Sequence, residues 1–201
     1  KSMIGNSNVK IIAVSKTFSY EHLKPLVDYG HNHFGENKVQ EAQAKWVELK
    51  KSQSNVKLHM IGKLQSNKAK EAVKLFDYIH SVDSPKLARV LAKCENDINK
   101  KLNYFIQVNI GNEPQKSGIA IKALDEFFYY CARELKLNVI GLMAIPPSDG
   151  KESFYFKTLM ELNQLLGLKE LSMGMSADFK EALKYDATFI RIGSSIFGNR
   201  F

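Results

Sequence analysis

The chain has 201 residues, 44% of them hydrophobic and 25% charged, which suits one compact domain with a sizeable core and excludes a linker or a disordered tail. Its net charge of +8 is carried by lysine, because only Arg89, Arg133, Arg191 and Arg200 among the 29 basic residues are arginine. With no basic stripe interleaved with aromatics, nucleic acid is not an expected partner, whereas acidic small molecules are. No apolar run reaches the length of a membrane span, so no membrane partner is expected.

In chain order, "VKIIAVS" (Val9–Ser15) reads as a strand that delivers Lys16 at its end. A helical period follows over Tyr20–Asp28, then a strand in "HNHFGE" and a helix over Lys38–Lys50. "VKLHMIG" (Val56–Gly62) and "YIHSV" (Tyr78–Val82) are strands separated by a helix over Lys68–Leu75. Pro85–Asn99 is helical, "NYFIQVNI" (Asn103–Ile110) a strand, and Ile121–Leu135 helical again. "NVIGLMAI" (Asn138–Ile145), a helix over Ser153–Leu166, "LKELSMG" (Leu168–Gly174), a helix over Ala177–Lys184 and "TFIRIG" (Thr188–Gly193) complete the pattern. Strands alternating with helices predict right-handed βαβ units and a parallel sheet. Eight strands favour a closed α/β architecture, the (β/α)8 TIM barrel, in one domain spanning residues 1–201; at a usual length of about 250 residues, this is a lean example. The chain opens on Lys1, so a helix preceding the first strand is expected to lie in a missing leading segment.

A barrel of this kind carries its functional groups at the C-terminal ends of the strands and in the loops beyond. That filter passes Lys16, Asn37, the Gly62–Asn67 loop, Asp83, Lys116, Met143, Ser172–Ser176 and Arg191–Ser195. A lysine pointed into a barrel mouth loses solvation, which frees a nucleophilic amine able to form a Schiff base; the competing account is a lysine that snorkels its charge to the surface. "FIRIGSSIFG" offers Gly193 and two serines to an anion after the last strand, and Ser176 offers a hydroxyl where the next helix begins. Ordinary turn and cap chemistry is the alternative for both. Arg191, two residues before Gly193 on the same strand face, is placed to reach the ring of a cofactor whose phosphate rests at Gly193 and Ser194. A reactive lysine, a phosphate cradle and a ring partner together describe a pyridoxal 5′-phosphate (PLP) site.

His59, between Leu58 and Met60 in a core strand, reads better as a hydrogen-bonded structural histidine than as a catalytic one. His31, His33 and His80 lack metal-ligand spacing, and no metal is assigned. Cys94 and Cys131 show no metal or redox spacing and read as buried free thiols in a reducing compartment. A cytoplasmic location is therefore expected, with a mitochondrial one as the alternative given the opening at Lys1.

"VSK" (Val14–Lys16), "FGENKVQEA" (Phe34–Ala42), "HMIGKLQSNK" (His59–Lys68), "KSGI" (Lys116–Ile119), "GLMAI" (Gly141–Ile145) and "LSMGMSADF…RIGSSIFGNR" strongly resemble the YggS/PROSC family, the PLP homeostasis proteins. The resemblance runs nearly end to end, in the right block order. It implies a fold like the alanine racemase N-terminal domain and PLP as the cofactor, held as an internal aldimine. It further implies Lys16 as the Schiff-base lysine, Ser176, Gly193 and Ser194 as phosphate contacts, and Arg191 facing the pyridine nitrogen. Lys116 matches a second lysine near the site, with an accessory role; Asn37 and Met143 are expected to line the pocket, and Asn67 is equally well a helix cap.

Arginine does not give up its proton, so it favours an unprotonated ring, a weaker electron sink than one paired with aspartate. Racemisation also needs an acid opposite Lys16, which the racemases take from a second domain of a partner subunit. The expected function is thus a monomer that binds and exchanges PLP in vitamin B6 homeostasis, without catalysis, with apo PLP-dependent enzymes and amino acids as partners. The alternative is a single-domain PLP-dependent amino-acid racemase with Tyr155 as the second base; a third is a basic barrel that binds RNA through its lysines.

Overall fold

The computed structural model describes residues 9–198. Eight parallel strands close into a barrel in chain order: β1 (Lys10–Val14), β2 (His33–Glu36), β3 (Lys57–Met60), β4 (Tyr78–Val82), β5 (Asn103–Gln107), β6 (Val139–Met143), β7 (Glu170–Met175) and β8 (Phe189–Ile192). Around them lie α1 (Tyr20–Asp28), α2 (Val39–Ser52), α3 (Ala69–Leu75), α4 (Pro85–Ile98), α5 (Leu124–Tyr129), α6 (Glu152–Leu165), α7 (Phe179–Ala182) and α8 (Ser194–Phe197). Closure comes from β1 pairing with β8, Ile12 opposite Arg191 and Ala13 opposite Ile192.

Both faces of the strands are covered, the outer one largely apolar and the inner one mixing apolar side chains with the buried polar His59, His80, Ser172 and Arg191. One face meets the helices in a continuous core that includes Leu23, Phe34, Trp46, Phe76, Leu91, Tyr104 and Phe156. The other fills the barrel with Ile12, Phe105, Met143 and Phe189. Local chemistry agrees with this arrangement at α4. The Ser84 hydroxyl accepts the Leu87 amide at 3.3 Å, Pro85 opens the first turn, and Asn99 ends the helix at φ 54°, as capping requires.

The elements depart from the sequence expectations at their ends. The predicted helix over Ile121–Leu135 is a 3-10 turn, then α5, then a π turn over Tyr130–Glu134. β5 stops at Gln107 and β6 at Met143, short of Ile110 and Ile145, because the chain leaves the sheet to form the mouth. The four-residue α8 was not expected at all, being shorter than any periodicity window resolves. Asn199 and Arg200 of the last motif, and any helix before β1, lie outside the described residues. Among the described residues no helix is long and apolar enough to cross a membrane.

Candidate functional site

Alternation along a strand turns every second side chain inward. On β1 these are Lys10, Ile12 and Val14, and the same parity carries Lys16 to the mouth. The end of β1 is tightly held. The Ser15 amide donates to the Gly35 carbonyl at 3.0 Å, and its hydroxyl donates to Glu36 Oε1 at 2.7 Å. Lys45, reaching in from α2, bonds both the Ser15 carbonyl at 2.7 Å and Glu36 Oε1 at 2.8 Å. Trp46 Nε1–H donates to the same carboxylate oxygen at 2.9 Å. Immediately beyond Lys16, Thr17 sits at φ 71°, and its amide donates to Glu41 of α2.

Lys16, Asn37, Ser176, Arg191, Gly193 and Ser194 all line one cavity of about 680 Å³ at the C-terminal end of the strands. Asn37 is held there by a close approach of two backbones, since a Cβ on Gly62 would stand 2.4 Å from the Asn37 carbonyl oxygen. Gly174, at φ +90°, does the same for β7 and α7, where a Cβ would stand 2.8 Å from Ala182 Cβ. The Ser176 hydroxyl accepts the Gly193 amide at 3.4 Å, tying together the two segments expected to bind an anion. The first intrahelical bond of α8 runs from the Ile196 amide to the Gly193 carbonyl at 2.9 Å, which leaves the Ser194 and Ser195 amides ahead of it as anion donors.

Arg191 is fully inside the wall. Its Nη1 donates to the Ser172 carbonyl at 2.9 Å and to Ser172 Oγ at 2.8 Å, and Nη2 to the Ala144 carbonyl at 2.9 Å. These bonds use three of the five guanidinium N–H groups, so Nε and one Nη2 hydrogen remain for a ligand. Burial pushes the guanidinium down to about 10, with Asp178 acting the other way; it is charged at neutral pH.

Two expected site residues are placed elsewhere. Met143 has the inward parity but lies a layer deeper, wholly buried against Ile12, Phe105 and Phe189 rather than at the cavity wall. Lys116 lies in the loop after β5, away from the cavity lining, where its amine pairs with Glu113 at 2.6 Å. Asn67 is exposed in a 3-10 turn and caps nothing with its side chain. Tyr155 donates to Asp149 Oδ2 at 3.0 Å and does not line the cavity.

Sequence reasoning passed Met175 within Ser172–Ser176 but missed the rest of the cavity's apolar wall, Val14, Phe18, Ile61 and Ile145. Inward parity on β1 and β3 was the available signal for Val14 and Ile61. Phe18 is instead held by two rings, stacking on His22 four residues ahead at 4.8 Å and meeting Phe197, distant in sequence, at 5.0 Å. An amine at the mouth, anion donors opposite and a donor-only cation in the wall fit a flat ring that bears a phosphate and a carbonyl group.

The family model for the alanine racemase N-terminal domain matches residues 1–200. The pyridoxal phosphate homeostasis protein of Aquifex aeolicus is 37% identical over 205 residues, covering 98% of this chain and 89% of that one. The protein of the same name from Escherichia coli is 35% identical over 201 residues, covering 96% and 86%. Among solved structures, PipY of Synechococcus elongatus with PLP bound superposes at a TM-score of 0.89 with 35% identity, covering 96% of this chain and 94% of that one. An alanine racemase of Clostridium difficile shares the fold at a TM-score of 0.75 and 16% identity, and this chain spans 55% of it. The chain belongs to the family of the alanine racemase N-terminal domain, in its group of pyridoxal phosphate homeostasis proteins.

Proposed function

We propose that this chain binds PLP reversibly and exchanges it, in PLP homeostasis, without turning over an amino acid. The observation that carries the reading is the meeting of Lys16 from the first strand with Ser176, Gly193 and Ser194 from the last two around one cavity. When bound, PLP supplies an aldehyde that a lysine amine captures reversibly. Lys16 presents that amine at the mouth, where an incoming amine of an amino acid or of an apo-enzyme can displace it. The Ser194 and Ser195 amides, with the Ser176 hydroxyl, would hold the phosphate. With PLP bound, Arg191 would face the ring nitrogen and, having only donors, would keep that nitrogen unprotonated and the ring a weak electron sink. Among the described residues no tyrosine lines the cavity, which favours exchange over racemisation, since a second acid opposite Lys16 is what racemisation requires. In this reading the working unit is the monomer.

Titration of the purified protein with PLP, followed by visible absorbance, tests the reading. The wild type is expected to form a coloured covalent linkage at one PLP per chain, and Lys16→Ala to form none. Equal colour in the variant contradicts the assignment of Lys16. Incubation with common amino acids in deuterated water tests the second half, with no α-proton exchange expected; exchange above the rate of free PLP makes the chain an enzyme.

A further inference from the structure

Three histidines cross the barrel interior and end on Arg191. His33 Nδ1 lies 2.9 Å from His59 Nε2, His59 Nδ1 lies 2.9 Å from His80 Nε2, and His80 Nδ1 lies 2.8 Å from Ser172 Oγ. Ser172 Oγ in turn accepts from Arg191 Nη1 at 2.8 Å. Aromatic rings fix the planes, with His80 stacked on Phe105 at 4.2 Å and His59 on Tyr78 at 4.3 Å. The nitrogens touch at hydrogen-bond distance and leave no place for an ion between them. His59 and His80 are fully buried. Half-buried His33 packs against Tyr78 and Phe189, which line a second cavity at the opposite end of the barrel.

The direction of every bond in this chain follows from its arginine end. Arginine has only donors, so Ser172 Oγ accepts, and the hydroxyl hydrogen has His80 Nδ1 as its acceptor. His80 Nδ1 is then bare and its hydrogen sits on Nε2, which donates to His59 Nδ1. The same step repeats, His59 Nε2 donating to bare His33 Nδ1. With the opposite tautomers, Ser172 Oγ would face two donors and its own hydrogen would be orphaned in the core. All three imidazoles therefore point their negative Nδ1 edges toward the guanidinium. No carboxylate is hydrogen-bonded to Arg191 among the described residues, where its acceptors are two carbonyls and one hydroxyl.

We propose that Ser172, His80, His59 and His33 form a one-way hydrogen-bond relay that stands where a hydrogen-bonded counter-ion would stand for Arg191, with His80 and His59 as positioning residues for the guanidinium. Asp178 is a carboxylate that acts on Arg191 without a hydrogen bond. A hydroxyl that gives its hydrogen to an imidazole becomes a better acceptor, so each link strengthens the next and the last one holds the cation. The consequence for a bound ring rests on the PLP reading; the tautomer order does not.

The first test is nitrogen NMR of the full chain, without PLP, labelled with 15N at its histidines. His33, His59 and His80 are expected to be neutral with hydrogen on Nε2, and Ser172→Ala is expected to break that order at His80. Hydrogen on Nδ1 of His80 or His59 in the wild type overturns the relay, as does an unchanged His80 tautomer in Ser172→Ala. The second test is PLP affinity by absorbance titration of folded variants. His80→Leu keeps bulk but offers no acceptor, whereas His80→Asn places an amide oxygen at the Nδ1 position. We expect His80→Leu to weaken PLP binding about tenfold, the scale of one hydrogen bond to a charged group, and to shift the absorption maximum. His80→Asn should recover most of both. Unchanged affinity in His80→Leu, or equal losses in the two variants, overturns the positioning role. Should His80→Leu fail to fold, the tautomer spectra decide. Failure of the wild type to take up PLP sinks the functional reading and leaves the tautomer result standing on its own.

Discussion

Lys16 reaches the cavity through an unfavourable backbone. Thr17, at φ 71°, is a β-branched residue in the left-handed region, which costs about 1–2 kcal/mol relative to glycine. The Thr17 amide bond to Glu41 and the Lys45 bond to the Ser15 carbonyl hold the turn on either side of Lys16. Thr17→Gly removes the strain at an entropic cost of about 0.5–1 kcal/mol, so a net gain of about 0.5 kcal/mol in urea unfolding is expected; a loss of stability contradicts the strain. The same variant frees Lys16 to sample other directions and should weaken PLP binding. Residue by residue, position at the C-terminal end of a strand singled out Lys16, Arg191 and Gly193, and all three line the cavity. That position is only as good as the strand end read from the sequence. Met143 passed the filter as a member of a strand expected to run to Ile145, and it lies a layer below the cavity. Lys116 sits in a loop, where no period operates and a nearby carboxylate, Glu113, decides where the amine goes.

Among elements, α2 does more than cover the barrel. It drives Lys45 inward to Glu36 on β2, a pair whose side chains are 7% and 0% exposed. Three donors, Ser15 Oγ, Lys45 Nζ and Trp46 Nε1, converge on one oxygen of that carboxylate. Breaking such a buried pair from one side leaves the other charge uncompensated, at about 3–5 kcal/mol. Glu36→Ala should therefore lose about that much in urea unfolding, while the apolar double replacement Glu36→Leu/Lys45→Met should recover part of it, since it removes the stranded lysine charge but leaves the Trp46 Nε1–H without its acceptor. A loss below about 1 kcal/mol in the single variant contradicts the account. The alternation of strand and helix was legible because each element has an apolar period of its own. The short α8 and the π turn at Tyr130–Glu134 were not, because both are shorter than the window over which a period can be read.

On the scale of the whole molecule, the barrel interior is a polar relay inside an apolar lining, and its acid response follows. Burial, the largest cause, holds His33 down to about 4 and His59 and His80 well below the ordinary 6.5. The folded chain keeps these rings neutral while the unfolded chain takes up protons as pH falls below about 6.5. Their contribution to stability is thus complete above about pH 6.5 and is lost toward pH 4, each excluded proton costing about 1.4 kcal/mol per pH unit. Urea midpoints should fall between pH 7 and pH 5, and His80→Asn should flatten the slope by about one proton. A wild-type profile flat over that range contradicts the buried neutral relay. Barrel closure itself was legible only through the strand count, since nothing local in β1 or β8 says that Ile12 will stand opposite Arg191. Recognition of the histidine relay had no signal at all in spacing, because its four members come from four different strands, β2, β3, β4 and β7.

The most direct measurement of the central claim is borohydride reduction of the PLP-loaded protein followed by peptide mapping. The predicted result is a single pyridoxyl label, on the peptide that carries Lys16 between Ser15 and Thr17. A label on Lys116 or any other lysine, with Lys16 unmodified, contradicts the site, and with it the claim that the first and last strands build one cofactor cavity.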